Sequence, residues 1–297
     1  MDAGPTRPAE RRAEVLLFLV ALIWASNYPV VKWGIRGLDI FIFNAIRFLV
    51  GAVVAWGFFR ARAVWEPVAP KDRPRLLVAG VVGNVLYQVA FIVGIALTTA
   101  GNAAVLMSTA PLWTLLLDAR LHRAPVSRSM WTGMALSLVG VILIVIGSGR
   151  KLEFGSHAFV GDLVALLAGA LWALNTTLQK PLVARYPSAQ VTLVMLLVGA
   201  FGLSAIALGP ALETPWTDIH WSHYAAAVAS GAFAIGLSNV IWSHGVKRLG
   251  PGRTANVGNL IPVLAFVISY FTLDEEIYPI HFAGAAVTIL GVWLARR

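Results

Sequence analysis

The stretch LLVAGVVGNVLYQVAFIVGIALTTAGNAAVLMSTAPLWTLLL, residues 76–117, contains no Asp, Glu, Lys or Arg. A helix that crosses the hydrocarbon core of a bilayer needs roughly 20 predominantly apolar residues, so this stretch has room for two. The rest of the chain is similar, because 58% of its 297 residues are apolar and only 12% are charged. An ordinary soluble domain carries about 25% charged residues. The sequence therefore predicts an all-α integral membrane protein.

Apolar runs separated by charged or Pro-rich segments place ten transmembrane helices along the chain. With the N-terminus in the cytoplasm, 18 of the 23 Lys and Arg residues lie on the cytoplasmic side and 4 on the other, and Arg47 lies inside a span. Because cytoplasmic loops carry an excess of basic residues, we expect a multi-pass protein of the bacterial inner membrane with both termini in the cytoplasm. The predicted spans are 15–35, 40–59, 75–97, 99–119, 128–148, 160–180, 188–209, 222–245, 252–272 and 278–295.

The same distribution explains the net charge of +9 as a topology signal, so we expect no nucleic-acid partner. Residues 1–14 mix both charge signs and contain two prolines, which predicts a short cytoplasmic tail and not a signal peptide. The chain has no cysteine, which excludes disulfides, thiol catalysis and thiolate metal sites.

The two halves of the chain form an internal repeat. A shift of 148 residues sets LIWASNYPVVK (22–32) over ALWALNTTLQK (170–180), and a shift of 151 aligns later glycines and prolines. Each half then has five spans, and an odd number forces the halves into opposite orientations, as in transporters that bind their substrate near the bilayer midplane. The pairs at the 151-residue shift are Gly80/Gly231, Gly94/Gly245, Gly101/Gly252, Pro111/Pro262, Gly133/Gly284 and Gly140/Gly291.

The predicted organisation is therefore ten transmembrane helices in two inverted five-helix repeats. A cytoplasmic tail (1–14) precedes the first repeat (15–149), and a periplasmic linker (150–159) leads to the second repeat (160–297).

Polar and aromatic side chains recur on one face of several spans. Trp24, Asn27 and Tyr28 have the spacing of a single helical stripe, and Trp172 and Asn175 repeat it. An amide that faces lipid would be unsatisfied, so these stripes face the interior. Two interpretations stay open: hydrogen bonds between helices, or the lining of a substrate cavity. The candidate substrate-binding residues are Trp24, Asn27, Tyr28, Asn84, Tyr87, Gln88, Trp172, Asn175, Asn239, Trp242 and Asn259.

Prolines and basic residues also lie within several of the predicted spans. Pro111 and Pro262 are predicted hinges, because proline frees a backbone carbonyl and bends a helix. Pro29 predicts a local helix break, and Lys32 predicts an interfacial anchor. Arg47 lies some eight residues into the second span, where it either braces loops and snorkels or contacts a carboxylate.

The chain resembles the EamA-like ten-span exporters of the drug/metabolite transporter superfamily. The resemblance rests on the W-A-x-N pattern at Trp24 and Trp172, on NAIRF (44–48), on the proline-centred fourth and ninth spans, and on GMALSLVGV (133–141), echoed by GAAVTILGV (284–292). Within the superfamily it resembles the aromatic amino acid exporters of the YddG type. An acidic residue of the family pattern follows the ninth span, but the first-half counterpart falls on LHRAP.

The resemblance implies export of amino acids, metabolites or drugs. We expect alternating-access export of aromatic or other neutral amino acids, with drugs, nucleotide-sugars or other metabolites as alternative substrates. A membrane-embedded enzyme would need convergent acid, base or metal groups, which the sequence does not offer. We expect no cofactor and no metal, with a small solute and membrane lipids as the only partners of a monomer. No Asp or Glu lies at the centre of a span, which favours gradient-driven transport.

Overall fold

The computed structural model describes residues 7–62, 64–107, 109–122, 127–147, 156–273 and 278–294. Throughout these ranges the regular structure is helical, without a β-strand, which confirms the all-α prediction. The α-helices are α1 (Arg7–Gly34), α2 (Ile40–Arg62), α3 (Arg73–Val81), α4 (Tyr87–Leu97), α5 (Ala100–Met107), α6 (Ala110–His122), α7 (Arg128–Gly147), α8 (His157–Arg185), α9 (Ser188–Glu213), α10 (Trp221–Ala229), α11 (Ser238–Val257), α12 (Ile261–Leu273) and α13 (Pro279–Leu294).

Two π-helical segments join α-helices into longer rods. Val82–Leu86 connects α3 to α4, and Ser230–Leu237 connects α10 to α11. A shift of 151 residues aligns the first segment with residues 233–237, the C-terminal part of the second segment. Both segments therefore occur at equivalent positions of the repeat.

Among the described residues, six helical rods are long and apolar enough to cross a bilayer. The shortest has 22 residues, which at 1.5 Å per residue gives about 33 Å, against a hydrocarbon core of about 30 Å. Large apolar side chains such as Phe201 and Phe271 are mostly exposed, as expected where lipid surrounds the bundle. The rods are Arg11–Gly34, Ile40–Ala61, Pro70–Leu97, His157–Arg185, Ser188–Glu213 and Trp221–Leu249.

Short polar side chains start two of these rods. The Asp39 carboxylate accepts hydrogen bonds from the Phe41 and Ile42 backbone N–H groups at 2.9 and 3.1 Å. The Ser156 hydroxyl accepts one from the Phe159 N–H at 3.3 Å. These caps satisfy backbone donors that have no partner inside a helix.

The backbone corrects two sequence expectations. Helix α1 continues through Pro29, so no local break occurs there; neighbouring helices can re-satisfy the backbone groups that a proline frees within a bilayer. Helix α11 also continues through the predicted connection at 246–251.

The helical path changes just ahead of the two predicted hinge prolines. The structure separates α5 from α6 two residues before Pro111, and a 3₁₀ turn, Gly258–Leu260, ends immediately before α12 and Pro262. Proline in the first turn of a helix is favourable, because its missing N–H has no helical partner there. Hinge motion at both sites stays a prediction.

Helices α7 and α13 pack through a reciprocal glycine contact. A Cβ atom added to Gly140 would lie 2.6 Å from the Gly284 carbonyl oxygen, and one added to Gly291 would lie 2.6 Å from the Gly133 carbonyl oxygen. The 151-residue shift exchanges these two contacts. The backbones of α7 and α13 therefore approach each other equally closely at the two contacts, which are related by a local two-fold axis.

A second pair of contacts obeys the same relation. Gly231 packs against the Arg47 backbone, where an added Cβ would lie 2.6 Å from the Arg47 carbonyl oxygen. Gly80 packs against Val198, with an added Cβ 2.9 Å from the Val198 Cβ. The 151-residue shift aligns Gly80 with Gly231 and Arg47 with Val198. Helix α2 of the first half therefore packs on the rod Trp221–Leu249, and helix α9 of the second half packs in the same way on the rod Pro70–Leu97.

Candidate functional site

Three tryptophans from three helices meet in the interior of the bundle. The ring centroids of Trp24 and Trp172 are 5.6 Å apart, those of Trp24 and Trp242 are 5.0 Å apart, and those of Trp172 and Trp242 are 5.9 Å apart. Helices α1, α8 and α11 carry them, so both halves contribute. All three were predicted site residues, and the structure brings them together.

Further aromatic rings extend this cluster. Tyr87 lies 5.1 Å from Trp172 and 6.0 Å from Phe91, and Phe91 lies 5.7 Å from Tyr28, measured between ring centroids. We call the six rings of Trp24, Tyr28, Tyr87, Phe91, Trp172 and Trp242 the aromatic array. Sequence reasoning missed Phe91, although its position four residues after Tyr87 puts both on one helical face.

The indole N–H groups of the array differ in their bonding. Trp24 Nε1 donates to the Ala234 carbonyl oxygen at 2.9 Å, inside the π-helical segment Ser230–Leu237. Trp242 Nε1 is buried and has no hydrogen-bond partner among the described residues. A buried donor without a partner is rare in native proteins, so Trp242 is a candidate for contact with a solute.

Arg47 is the largest fully buried side chain in the described part of the molecule, and only 1% of it is exposed. Its Nε donates to Ser230 Oγ at 2.8 Å, and its Nη1 donates to Asn44 Oδ1 at 2.9 Å. The guanidinium lies 5.8 and 5.5 Å from the ring centroids of Phe43 and Phe91. The side chain therefore does not snorkel to an interface.

No carboxylate of the described residues forms an ion pair with Arg47, in contrast to Arg185, which pairs with Asp72 at 2.8 Å. Removing an unpaired cation from water costs several kcal/mol. Hydrogen bonds and aromatic faces offset part of this cost. The buried guanidinium beside the array, without a carboxylate partner in the described chain, is therefore a candidate anion-binding group.

Asn27 belongs to the hydrogen-bond network of Arg47. Ser230 Oγ donates to Asn27 Oδ1 at 2.5 Å, and on the other side Asn44 Nδ2 donates to the Gln88 carbonyl oxygen at 3.2 Å. The network ties α1, α2, α4 and the second π-helical segment together. Asn27 thus makes a hydrogen bond between helices and adjoins the cationic centre, and its contact with a substrate stays a prediction.

Two other predicted amides keep a free oxygen. Asn175 Oδ1 and Gln88 Oε1 are buried without a hydrogen-bond partner in the described ranges. The Asn175 amide lies directly over Gly83, because a Cβ added there would come within 2.6 Å of all three atoms of the amide group. The first π-helical segment therefore leaves room for Asn175 only because position 83 has no side chain.

The remaining predicted residues contribute less to this centre. Asn239 Nδ2 donates to the Ile235 carbonyl oxygen of its own rod at 2.8 Å. Asn84 is buried and packs on Gly199. The side chains of Asn259, Pro111 and Pro262 lie outside the described part of the structure.

Polar contacts join helices at the end of the bundle that carries Lys32. Its Nζ donates to the carbonyl oxygens of Ile95 at 2.7 Å, Ala96 at 3.1 Å and Thr98, at the C-terminus of α4. Thr98 Oγ1 in turn donates to Asp162 Oδ1 at 2.6 Å. Lys32 therefore caps a neighbouring helix, where a cation is favourable; its role as an interfacial anchor stays a prediction.

A different contact joins helices at the opposite end. Asp72 accepts hydrogen bonds from Arg185 Nη1 at 2.8 Å and from the Tyr186 hydroxyl at 2.9 Å. Gln190 exchanges two hydrogen bonds with the Glu66 backbone. Sequence reasoning missed these contacts because their partners lie more than 110 residues apart.

A bundle of long apolar helices is typical of a multi-pass membrane protein, and its buried cationic and aromatic centre is a candidate site for a solute. The sequence profile of the EamA-like transporter family matches residues 11–146 and again residues 159–297. The chain belongs to the EamA-like transporter family, and it is a membrane transporter.

Curated relatives agree with this class. A protein of Archaeoglobus fulgidus named "uncharacterized transporter" is 26% identical over 95% of this chain and 96% of its own length. A "probable terminal-alkyne amino-acid exporter" of Streptantibioticus cattleyicolor is 26% identical, with coverage of 95% and 92%. A "probable amino-acid metabolite efflux pump" of Escherichia coli is 25% identical, with coverage of 96% and 94%.

A solved crystal structure has the same fold. It superposes with a TM-score of 0.71 and covers 96% of this chain and 98% of the other. The sequence identity is 22%, so this similarity supports the fold alone.

Proposed function

We propose that the protein exports neutral amino acids, aromatic ones foremost, across the bacterial inner membrane by alternating access. The observation that carries the proposal is Arg47, a buried guanidinium without a carboxylate partner in the described chain, set against the aromatic array. Relatives named as an amino-acid exporter and an amino-acid metabolite efflux pump support the same substrate class.

Each part of an amino acid has a matching group at this centre. The carboxylate accepts charge-assisted hydrogen bonds from Arg47, whose planar fork suits a carboxylate. The ring packs among the tryptophans and tyrosines of the array. The ammonium donates to the free oxygens of Asn175 and Gln88, which have no other donor in the described ranges.

The transport cycle that we propose uses the internal repeat. Two inverted five-helix halves with ten spans in total exchange conformations, with Pro111 and Pro262 as hinges. The reciprocal glycine contacts and the two matches to the family profile support this arrangement. Lys32 at one end and Asp72 at the other then close the two sides of the site in turn.

Counterflow into proteoliposomes tests the substrate class. The panel contains tryptophan, phenylalanine, leucine, a nucleoside, a sugar and an organic cation, together with tryptamine, which lacks the carboxylate, and indole-3-propionate, which lacks the ammonium. We expect tryptophan to be exchanged fastest and tryptamine to be exchanged poorly. Equal exchange of tryptophan and tryptamine, or exchange of none of the panel by folded protein, contradicts the proposal.

A further inference from the structure

A groove of about 290 Å³ lies between α1 and the rod that contains α10 and the second π-helical segment. Its walls are apolar and include Leu22, Val30 and Phe233, while Ser26, Asn27 and Ser230 are its polar members. We call it the lateral groove. None of the six rings of the aromatic array lines it, but it shares Asn27 and Ser230 with the hydrogen-bond network of Arg47.

The lateral groove opens toward the lipid. Phe233 is 56% exposed, whereas Asn27 and Ser230 are 7% and 3% exposed, so the groove has an apolar rim and a buried polar floor. Both of its walls belong to rods that are long and apolar enough to cross the membrane. Ser26 and Asn27 lie about two helical turns from the end of α1 at Gly34, a depth at which we expect the mouth to face hydrocarbon.

The hydrogen-bond directions at the floor follow from Arg47. A guanidinium can only donate, so Ser230 Oγ accepts from Arg47 Nε and gives its single hydrogen to Asn27. The Asn27 amide must therefore turn its oxygen to Ser230. Its NH₂ group keeps two donor hydrogens with no hydrogen-bond partner among the described residues, and the Ser26 hydroxyl likewise makes no bond to them.

The polar floor thus offers hydrogen-bond donors, and the positive charge of Arg47 lies behind it, separated only by the Ser230 hydroxyl. Such a floor favours a ligand atom that accepts hydrogen bonds and carries negative charge. The apolar walls favour a hydrocarbon chain. With about 30 Å³ for a water-sized group, the volume corresponds to on the order of ten such groups.

We propose that the lateral groove binds a single-chain carboxylate of medium length that enters from the bilayer. The carboxylate accepts hydrogen bonds from Asn27 Nδ2 and the Ser26 hydroxyl, and the chain lies between Leu22 and Phe233. The inference goes beyond the proposed function, because it concerns binding at a second site and does not require transport.

Photolabelling of the full chain tests this inference. The protein is placed in phosphatidylcholine nanodiscs with a decanoic acid that carries a terminal diazirine, irradiated, and mapped by peptide mass spectrometry. We expect the label on 22–30 and 229–234. We also expect decanoate to compete about tenfold better than decanol or decylamine, since a charge-assisted hydrogen bond contributes on the order of 1.5 kcal/mol.

Two matched variants decide whether the groove is the site. Ala229→Leu fills the groove, and Ala225→Leu adds the same side chain on an exposed position one turn earlier in α10 that does not line it. We expect A229L to reduce labelling at least about fivefold and A225L to leave it unchanged, since a volume change is felt only where atoms are packed. Ser26→Ala, a smaller change that preserves the fold, is expected to weaken competition by decanoate but not by decanol.

Labelling spread evenly over lipid-facing helices, equal competition by decylamine, or equal labelling of A229L and A225L would overturn the inference. Tryptophan counterflow is measured on the same preparations. Wild-type protein that is labelled in the groove but shows no tryptophan counterflow contradicts the proposed function only. Wild-type protein that shows counterflow but no labelling of the groove contradicts the groove inference only.

Discussion

At the scale of single residues, Arg47 is the feature that a purely structural role explains least. The described chain gives this buried cation hydrogen bonds and aromatic faces but no carboxylate. Replacing buried charges by neutral groups often leaves stability unchanged or raises it. An unpaired cation in the interior is therefore best explained by what it binds.

We expect Arg47→Gln to leave the free energy of unfolding unchanged within about 1 kcal/mol or to raise it, because the charge is removed while an amide can still bond to Ser230. Thermal unfolding in detergent measures the effect. Arg60→Gln, at an exposed position of the same helix, is the control. A large drop for the Arg47 variant alone would assign Arg47 to structure and not to binding.

Asn175 carries the second residue-scale prediction. Its side-chain oxygen is buried without a partner in the described ranges, so Asn175→Leu removes an unsatisfied group and is expected to cost less than about 1 kcal/mol of stability. The affinity for tryptophan is expected to fall about tenfold, because one hydrogen bond to the ammonium is lost. Binding of indole-3-propionate, which has no ammonium, should not change. Equal losses for both ligands, measured by calorimetry, would contradict the ammonium role.

At the scale of helices, close glycine contacts hold the two halves together. Gly140→Ala and Gly291→Ala each force a Cβ against a carbonyl oxygen and are expected to destabilise by about 1–3 kcal/mol, to a similar extent because the contacts are reciprocal. Gly57→Ala is the control, since nothing lies within 4 Å of its added Cβ. Thermal unfolding of the three variants checks this, and a loss for Gly57→Ala as large as the other two would refute the packing explanation.

The helices also mark the limit of what the sequence predicts. The duplicated Trp24 and Trp172 can be predicted because a repeat and a helical period are both visible in the order of the residues alone. The contact of Arg47 with Ser230 spans 183 residues, and no spacing rule indicates it. The π-helical segments and the continuous helix at Pro29 depend on neighbouring helices, so a pattern along one segment does not predict them.

At the scale of the whole molecule, polar contacts close both ends of the bundle. Lys32 caps α4 at one end, and Asp72 holds Arg185 and Tyr186 at the other. The alternating-access cycle that we propose requires these two sets of contacts to break in turn, each on one side of the membrane.

Cysteine accessibility tests this gating, and the chain has no cysteine of its own. Thr176→Cys places a thiol on α8 next to Asn175, at a buried position. We expect Asp72→Asn to speed its reaction with a membrane-impermeant maleimide from the cytoplasmic side only, and Lys32→Met to speed it from the periplasmic side only, because each change removes contacts from one end. Acceleration from the same side by both variants would contradict two-sided gating.

The central claim is that an amino acid carboxylate binds to Arg47 during transport. The most direct measurement is tryptophan counterflow in proteoliposomes with wild-type protein, Arg47→Gln and Arg60→Gln at equal reconstitution. The expected result is a loss of at least about 100-fold for the Arg47 variant, as for a charged hydrogen-bonded partner removed from a buried site, with no loss for the Arg60 variant. Wild-type exchange by Arg47→Gln would contradict the claim.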